Sequence, residues 1–329
     1  MEIGKIPSEV LEKIVLNPIN KNDSKRDEII VRPKTGEDCS AVYMGDELCI
    51  VSTDPITGAD KNAGYIAVHI NCNDIASSGG EPVGILMTVL LPPNSSQDIL
   101  EDIMSGAYKA AKEVGIEILG GHTEVTEVVT KPVISATIIG KSKNKNFISS
   151  GGALLGQDVI MTKWAGLEGT SIIANDYYHI LKDKLPEEIL KSAMDMSKFL
   201  SVIPESKIAV KYSATAMHDV TEGGILGAVW EVADCSNKGV KLYLDKIPVK
   251  KETEEICRIS NINPYRLISS GSMIITAFDG HKLVEELKNS NIEASVIGKI
   301  TEGGKYIVEN GVEKEILPPE SDELYRVSF

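Results

Sequence analysis

The stretch AGYIAVHINCNDIASS, residues 63–78, decides how this chain is read. Ala63, Ile66, Ala67 and Ile70 recur at helical spacing, so the segment reads as a helix with an apolar stripe. Three- and four-residue steps along that stripe lead to Asn73, Asp74 and Ser77. A polar pair then sits on a face that should be buried, where a carboxylate is costly unless it is paired or holds a metal. The other reading is that the helix ends early and Asn73-Asp74 cap it. The sequence leaves both open.

Further acidic residues recur where strands or helices meet loops. Gly36-Glu37-Asp38 precedes a strand, and Thr53-Asp54 closes the strand 48–53 ahead of Pro55. His218-Asp219-Val220-Thr221-Glu222-Gly223-Gly224 leads into an apolar helix from Ile225 to Val232. Plain readings exist for each: a solvated loop, an Asp-Pro turn, and Thr221 as helix cap with Glu222 in the first turn. None explains Asp219 directly after a strand. Carboxylates that converge suit Mg²⁺, which takes hard oxygen ligands and often shares them with substrate phosphates. Gly120-Gly121-His122-Thr123-Glu124 follows the short strand 116–119 and reads as a glycine turn offering N–H groups to phosphate. It matches neither a Walker A loop nor a dinucleotide fingerprint. His122 reads as a ligand or hydrogen-bond donor, or, as is commoner for a lone histidine, as a satisfied polar residue. Lys5 reads as a phosphate contact or a solvated lysine, and Cys39, with no basic neighbour, as a small core residue.

At 329 residues the chain has the length of two ordinary domains. A formal charge of -14 argues against a nucleic-acid or anionic-membrane binder, and no apolar run approaches the ~20 residues of a membrane span. Five cysteines without a CxxC pair read as free thiols in a reducing cytoplasm. Strands and helices alternate in both halves, which predicts α/β (α+β) sheets with helices laid on them. The Lys-, Asn-, Ser- and Gly-rich stretch 141–156 breaks the pattern and predicts a boundary between domains 1–148 and 149–329. Exposed sheet edges in the first half predict a homodimer, with residues 48–51 and 84–91 as the interface strands.

The order of motifs resembles the PurM-like superfamily of ATP-binding enzymes, closest to the branch of the hydrogenase maturation factor HypE. The motifs are GEDCSAV at 36–42, STDPITG at 52–58, NDIASSGGEP at 73–82, GGHTE at 120–124, GQDVIMTK at 156–163, AMHDVTEGG at 216–224 and SSGSMII at 269–275. The resemblance implies two PurM-like domains, with the N-terminal sheets of a dimer pairing into a barrel and the C-terminal sheet flanked by helices. It implies ATP in a cleft between the N-terminal domains, with Mg²⁺ on Asp38, Asp54, Asp74 and Asp219. It implies a nucleotide site lined by Lys5, Thr53, Gly121, His122, Thr123 and Glu124, and catalytic roles for Asp74, Glu124 and Asp219. The implied chemistry is phosphoryl transfer from ATP onto an amide or carbonyl oxygen of an unidentified acceptor, with a maturation protein as partner. A kinase of the thiamine-monophosphate type and a non-catalytic ATP-binding scaffold are the alternatives. HypE carries its chemistry on a C-terminal cysteine. Here no cysteine follows Cys257, so self-modification at 321–329 is not expected.

Overall fold

The computed structural model describes residues 4–21, 23, 25–59, 61–142, 146–319 and 321–329, so part of the expected boundary stretch lies outside the described residues. Two mixed sheets follow one another, each with helices against it. The first contains β1 (Ile29–Val31), β2 (Ser40–Met44), β3 (Glu47–Ile56), β4 (Glu81–Leu91), β5 (Glu117–Val125) and β6 (Val133–Ser142). Their order is β1-β2-β3-β6-β4-β5, and β4 and β5 are parallel. Short helices α1 (Ser8–Leu11) and α2 (Asn17–Asn20), joined by a π-helical turn, precede it, and α3 (Ala63–Ser77) and α4 (Gln97–Val114) accompany it.

The second sheet contains β7 (Asp158–Thr162), β8 (Ala216–Asp219), β9 (Gly239–Tyr243), β10 (Met273–Ala277), β11 (Ala294–Thr301), β12 (Lys305–Glu309) and β13 (Val312–Glu315). Its order is β13-β12-β9-β11-β7-β10-β8. Its helices are α5 (Leu167–Asp176), α6 (Tyr178–Leu181), α7 (Glu187–Asp195), α8 (Ile203–Lys211), α9 (Gly224–Cys235), α10 (Lys251–Ser260) and α11 (Gly280–Asn289). Helix α9 packs with the core residues on one face, and α8 and α11 with those on the other.

Helix α3 runs through to Ser77, which overturns the early-cap reading of Asn73-Asp74, and all fifteen of its residues are buried. It touches the first sheet, α4, α8 and β8. Ala and Gly make this crowding feasible, because a backbone can approach only where side chains are small. A Cβ on Gly64 would lie 1.9 Å from the Ile103 carbonyl oxygen of α4. The buried Ile103, Ala107, Ala110 and Ala111 form the stripe of α4 that meets it.

Several local expectations change. GGHTE is not a turn: β5 continues through it, with Gly120 at φ 136° and Gly121 at φ 144°. A Cβ on Gly121 would meet the Met87 carbonyl oxygen at 1.8 Å, so glycine lets β5 lie close on β4. Strand β3 continues past Pro55, so Asp54 lies inside it, opposite Ala136. Gly223, in the left-handed region, caps α9, so Thr221 and Glu222 lie in the loop before it. The runs 48–51 and 84–91 belong to β3 and β4, which have hydrogen-bonded neighbours on both sides, and β1 and β5 are the edge strands. Strand β13 was not expected. Its charged residues hide it, but Asn310 at φ 50° and Gly311 at φ 80° form the two-residue turn that pairs it with β12.

Replacing Gly64 with Ala is expected to cost about 3 kcal/mol, because both contacting backbones are held by their own helices. Urea denaturation checks this, and a variant as stable as the parent would show that α3 and α4 can move apart freely.

Candidate functional site

The C-terminal half of α3 brings Asp74 under β3, where Ser52 Oγ lies 2.7 Å from Asp74 Oδ2 and 3.0 Å from the Asp38 carbonyl oxygen. One step along the helix face, Ser77 Oγ donates to Asp219 Oδ1 at 3.3 Å. Asp219 ends β8 and is wholly buried, and its Oδ2 has no hydrogen-bond partner. The neighbouring His218 has Nε2 3.0 Å from Glu231 Oε2 on α9 and Nδ1 3.6 Å from Asp38 Oδ2. Asp38, His218 and Asp219 bring one ligand atom each to within 4.8 Å of one another. Lys5 Nζ lies 3.8 Å from Glu231 Oε1 and 3.4 Å from Thr221 Oγ1.

Charge follows from this packing. Burial, with repulsion from Asp38 and Asp219, pushes Asp54 up to about 7. Burial and Asp38 raise Asp219 to about 6, and burial with the other three aspartates raises Asp74 well above the carboxylate range. Burial alone would lower His218, but its bond to Glu231 and the nearby Asp38 carry it to about 9, so it is an imidazolium. Burial opposes ionisation of Glu231 too, yet Lys5 and His218 hold it down to about 2. Lys5 is likewise held above the ordinary lysine value by Glu231, Glu222, Asp38 and Asp54, against the effect of burial. His218 and Lys5 are thus engaged by Glu231 and offset only part of the repulsion among the aspartates. An orphaned buried carboxylate oxygen among hard donors fits a divalent ion such as Mg²⁺.

The predicted residues separate into two groups. Asp38, Asp54, Asp74, Asp219 and Lys5 come together. Thr53 does not join them, because strand alternation sends it to the opposite face of β3, where Thr137 Oγ1 donates to it at 3.1 Å. Gly121, His122, Thr123 and Glu124 lie on the exposed edge strand β5, and His122 Nε2 is 3.0 Å from Glu124 Oε2. Three strand steps separate β5 from β3, about 14 Å within one chain.

A cleft of about 100 Å³ adjoins the cluster, lined among others by Asp54, Ile70, Glu168, Glu222, Ser270 and Tyr325. The tail closes it. Asp322, buried, accepts from the amides of Gly223 at 2.7 Å, Leu324 at 2.8 Å and Ile268 at 3.1 Å. His218 was read only as part of its motif, without a role of its own, and Glu231, Glu168 and Asp322 were missing from the sequence reading. A single carboxylate inside the apolar helix 225–232 was the available signal for Glu231. Glu168 and Asp322 stand among ordinary polar neighbours and gave none.

Comparison with known proteins agrees with this architecture. The family model for the AIR synthase related protein N-terminal domain matches residues 36–142, and that for the C-terminal domain matches residues 156–310. A putative hydrogenase expression/formation protein of Methanocaldococcus jannaschii is 24% identical, over 98% of this chain and 97% of the relative. A thiamine-monophosphate kinase of Pyrococcus horikoshii is 27% identical, over 86% and 88%. Among solved structures, AaThiL complexed with AMPPCP and TMP has a TM-score of 0.75 at 20% identity, covering 98% of this chain and 99% of that one. The hydrogenase maturation protein HypE in complex with ATP has a TM-score of 0.73 at 20% identity, covering 99% and 98%. Among the described residues no helix is long and apolar enough to cross a membrane.

The raised carboxyls give a signed pH dependence. A carboxyl whose native pKa exceeds its unfolded value contributes stability that is fully present below about pH 3.8. That contribution is lost as pH rises through about 6 for Asp219 and about 7 for Asp54. Thermal unfolding without divalent ions is therefore expected to show a larger loss of stability between pH 4 and 7 in the parent than in Asp54→Asn, and added Mg²⁺ should reduce the parent's loss. Identical pH profiles for parent and variant would overturn this account.

Proposed function

This chain belongs to the AIR synthase related family, and we propose that it is an ATP- and Mg²⁺-dependent enzyme that activates an amide or carbonyl oxygen of a small acceptor by phosphoryl transfer. The observation that carries the proposal is the convergence of Asp38, Asp54, Asp74 and Asp219 with an unpartnered oxygen on Asp219. Those four residues would hold Mg²⁺. When bound, the ion neutralises phosphate charge and polarises the transferring phosphoryl group.

Lys5, held between Glu231 and Thr221, offers its ammonium to phosphate oxygens as the nucleotide arrives. The His218 imidazolium keeps Glu231 ionised and stands 3.6 Å from Asp38 Oδ2. The acceptor oxygen attacks the γ-phosphorus while the bond to the bridging oxygen breaks, and ADP leaves with that electron pair. An amide acceptor becomes an O-phosphorylated imidate, its N–H proton passing to solvent. Binding ATP over a cluster of carboxylates requires the cation first, so nucleotide affinity should depend steeply on Mg²⁺.

The nucleotide residues on β5 enter through a second copy. Strand β5 is an edge strand with nearly every residue exposed, and Leu119 and Val125 are among its exposed apolar side chains. A homodimer that covers this edge would bring Gly121, His122, Thr123 and Glu124 of one protomer toward the nucleotide between the N-terminal domains. A cytoplasmic setting suits the five free cysteines. Phosphoryl transfer to a phosphate acceptor is the second reading, favoured by the likeness to the Pyrococcus horikoshii kinase. ADP release with carboxamides against phosphate monoesters separates the two.

Asp54→Asn and Asp74→Asn should each weaken Mg·ATP binding by about ten- to hundredfold, on the scale of damaged metal sites. Each should leave the metal-free protein as stable or more stable, since a repelled carboxylate is removed. Calorimetry and thermal unfolding on the same samples check this, and parental affinity in both variants would remove the metal assignment.

Sedimentation at micromolar concentration should give a dimer mass. Leu119→Lys should shift it toward the monomer, because the charge would face the covered edge. A monomeric parent that still binds Mg·ATP would end the two-protomer reading.

A further inference from the structure

Resting on the Mg²⁺ reading of the aspartate cluster, we infer that Lys163 is a positioning residue for that site. Its buried ammonium sets how far Asp74 stands from Asp219 by holding the two backbone segments that adjoin them. Lys163 follows β7 and is 7% exposed. Its backbone has φ 53°, in the left-handed region, where glycine would sit without strain. A lysine here is costly twice, through its backbone and through its burial, so its contacts carry the explanation.

The ammonium has three N–H donors and meets three carbonyl oxygens, those of Gly271 at 2.6 Å, Ser201 at 2.7 Å and Phe199 at 2.9 Å. Glu205 Oε1, in the first turn of α8, stands 2.5 Å away as counter-charge. The carbonyls belong to two segments far apart in the chain, 199–202 and 270–273. The segments lie against one another, since a Cβ on Gly271 would stand 2.6 Å from the Phe199 carbonyl oxygen.

Each segment leads to one aspartate. The Leu200 carbonyl and the Val202 amide bond to Asn73 at 2.8 and 3.0 Å, and Asn73 precedes Asp74 on α3. Carbonyls 199 and 201 thus go to Lys163, and carbonyl 200 goes to α3. On the other side, the Ser272 carbonyl accepts from the Val220 amide at 3.0 Å, and Met273 stands opposite Asp219 in the ladder of β10 and β8. Asp219 repels Asp74, so the two would move apart unless restrained. Their nearer link, from Ser77 Oγ to Asp219 Oδ1, is long for a hydroxyl bond at 3.3 Å. Mg²⁺ tolerates little error in the placing of its ligands. A clamp fixed to both backbones therefore decides whether the pair is ready for the ion.

The test uses the full chain. Lys163→Met alone would leave the Glu205 carboxylate buried without a counter-charge and endanger the fold. The variant is therefore Lys163→Gly with Glu205→Gln, in which no charge remains, glycine accepts the left-handed backbone, and water reaches the three carbonyls. Its Mg²⁺-dependent binding of the non-hydrolysable nucleotide AMPPCP, read by calorimetry, should be about ten- to hundredfold weaker, the scale of a lost support behind a metal ligand. In the metal-free protein its Val202 and Val220 amides should exchange hydrogen about tenfold faster than in the parent. Leu287→Ala controls for lost stability. Leu287 is buried on α11, outside both segments, and its cavity should leave AMPPCP affinity at the parental value. Parental affinity in the double variant, parental exchange at either amide, or an equal loss of affinity in Leu287→Ala would each overturn the inference. If the parent itself shows no Mg²⁺-dependent AMPPCP binding, the Mg²⁺ reading falls and the exchange rates decide alone. Faster exchange at both amides would then keep Lys163 as the clamp, and parental rates would remove it.

Discussion

Burying carboxylates without a cation is the constraint on which this molecule turns. Asp54, Asp74 and Asp219 are all pushed toward protonation by burial and by one another. The two cations close by relieve them only in part, Lys5 lowering Asp54 and His218 lowering Asp219, because Glu231 engages both. Apolar residues of similar size would serve the fold better in these positions, since a buried charge without its partner is among the costlier arrangements in a protein. The cluster therefore carries a cost in the free protein, and the unpartnered oxygen on Asp219 is part of it. The same argument explains the Glu231 arrangement. It supplies positive charge near the site while limiting how far that charge neutralises the aspartates.

The cluster exists because α3 holds the two halves together. Asn73 donates to the Leu200 carbonyl at 2.8 Å and accepts from the Val202 amide at 3.0 Å, gripping the chain segment ahead of α8 at both backbone groups. Lys163 grips the same segment from the second sheet, donating to the carbonyls of Phe199 at 2.9 Å and Ser201 at 2.7 Å and pairing with Glu205. Ser206 of α8 donates to the Ala76 carbonyl near the end of α3. Residues at the end of α3 thus fix where β8, and with it Asp219, stands relative to Asp74. Loosening Gly64 against α4 would move Asp74 of the acidic cluster, although Gly64 lies about three turns away from it along the helix.

The sheets and most helices were legible because their periodicity is local. The stripe through Ala63 and Ile70 predicted α3, and its polar continuation identified Asp74 as anomalous before any contact was known. What escaped was set by non-local packing. Glycine at 120 and 121 reads as a turn from the sequence, whereas the close approach of Met87 makes it a strand. Thr53 and Asp54 look alike as a pair at a strand end, but pleating sends them to opposite faces. Glu168 and Asp322 reach the same cleft from α5 and from the tail, a separation no spacing rule bridges. The motif order carried the family reading across the whole chain, since it records such packing without stating it.

Both ends of the described chain converge on this one site. A Cβ on Gly4 would stand 3.3 Å from the Ser321 backbone, and the following residues are Lys5 on one side and Asp322 on the other. Lys5 faces the acidic cluster, and Asp322 anchors the segment that closes the neighbouring cleft. The site is thereby divided. One side is strongly charged and suited to a cation with phosphates. The other is walled by Asp54, Glu222 and Asp322, with Glu168 pushed up to about 8 by burial. Asp54 alone among the four aspartates lines the cleft while sensing the charge of Asp38 and Asp219.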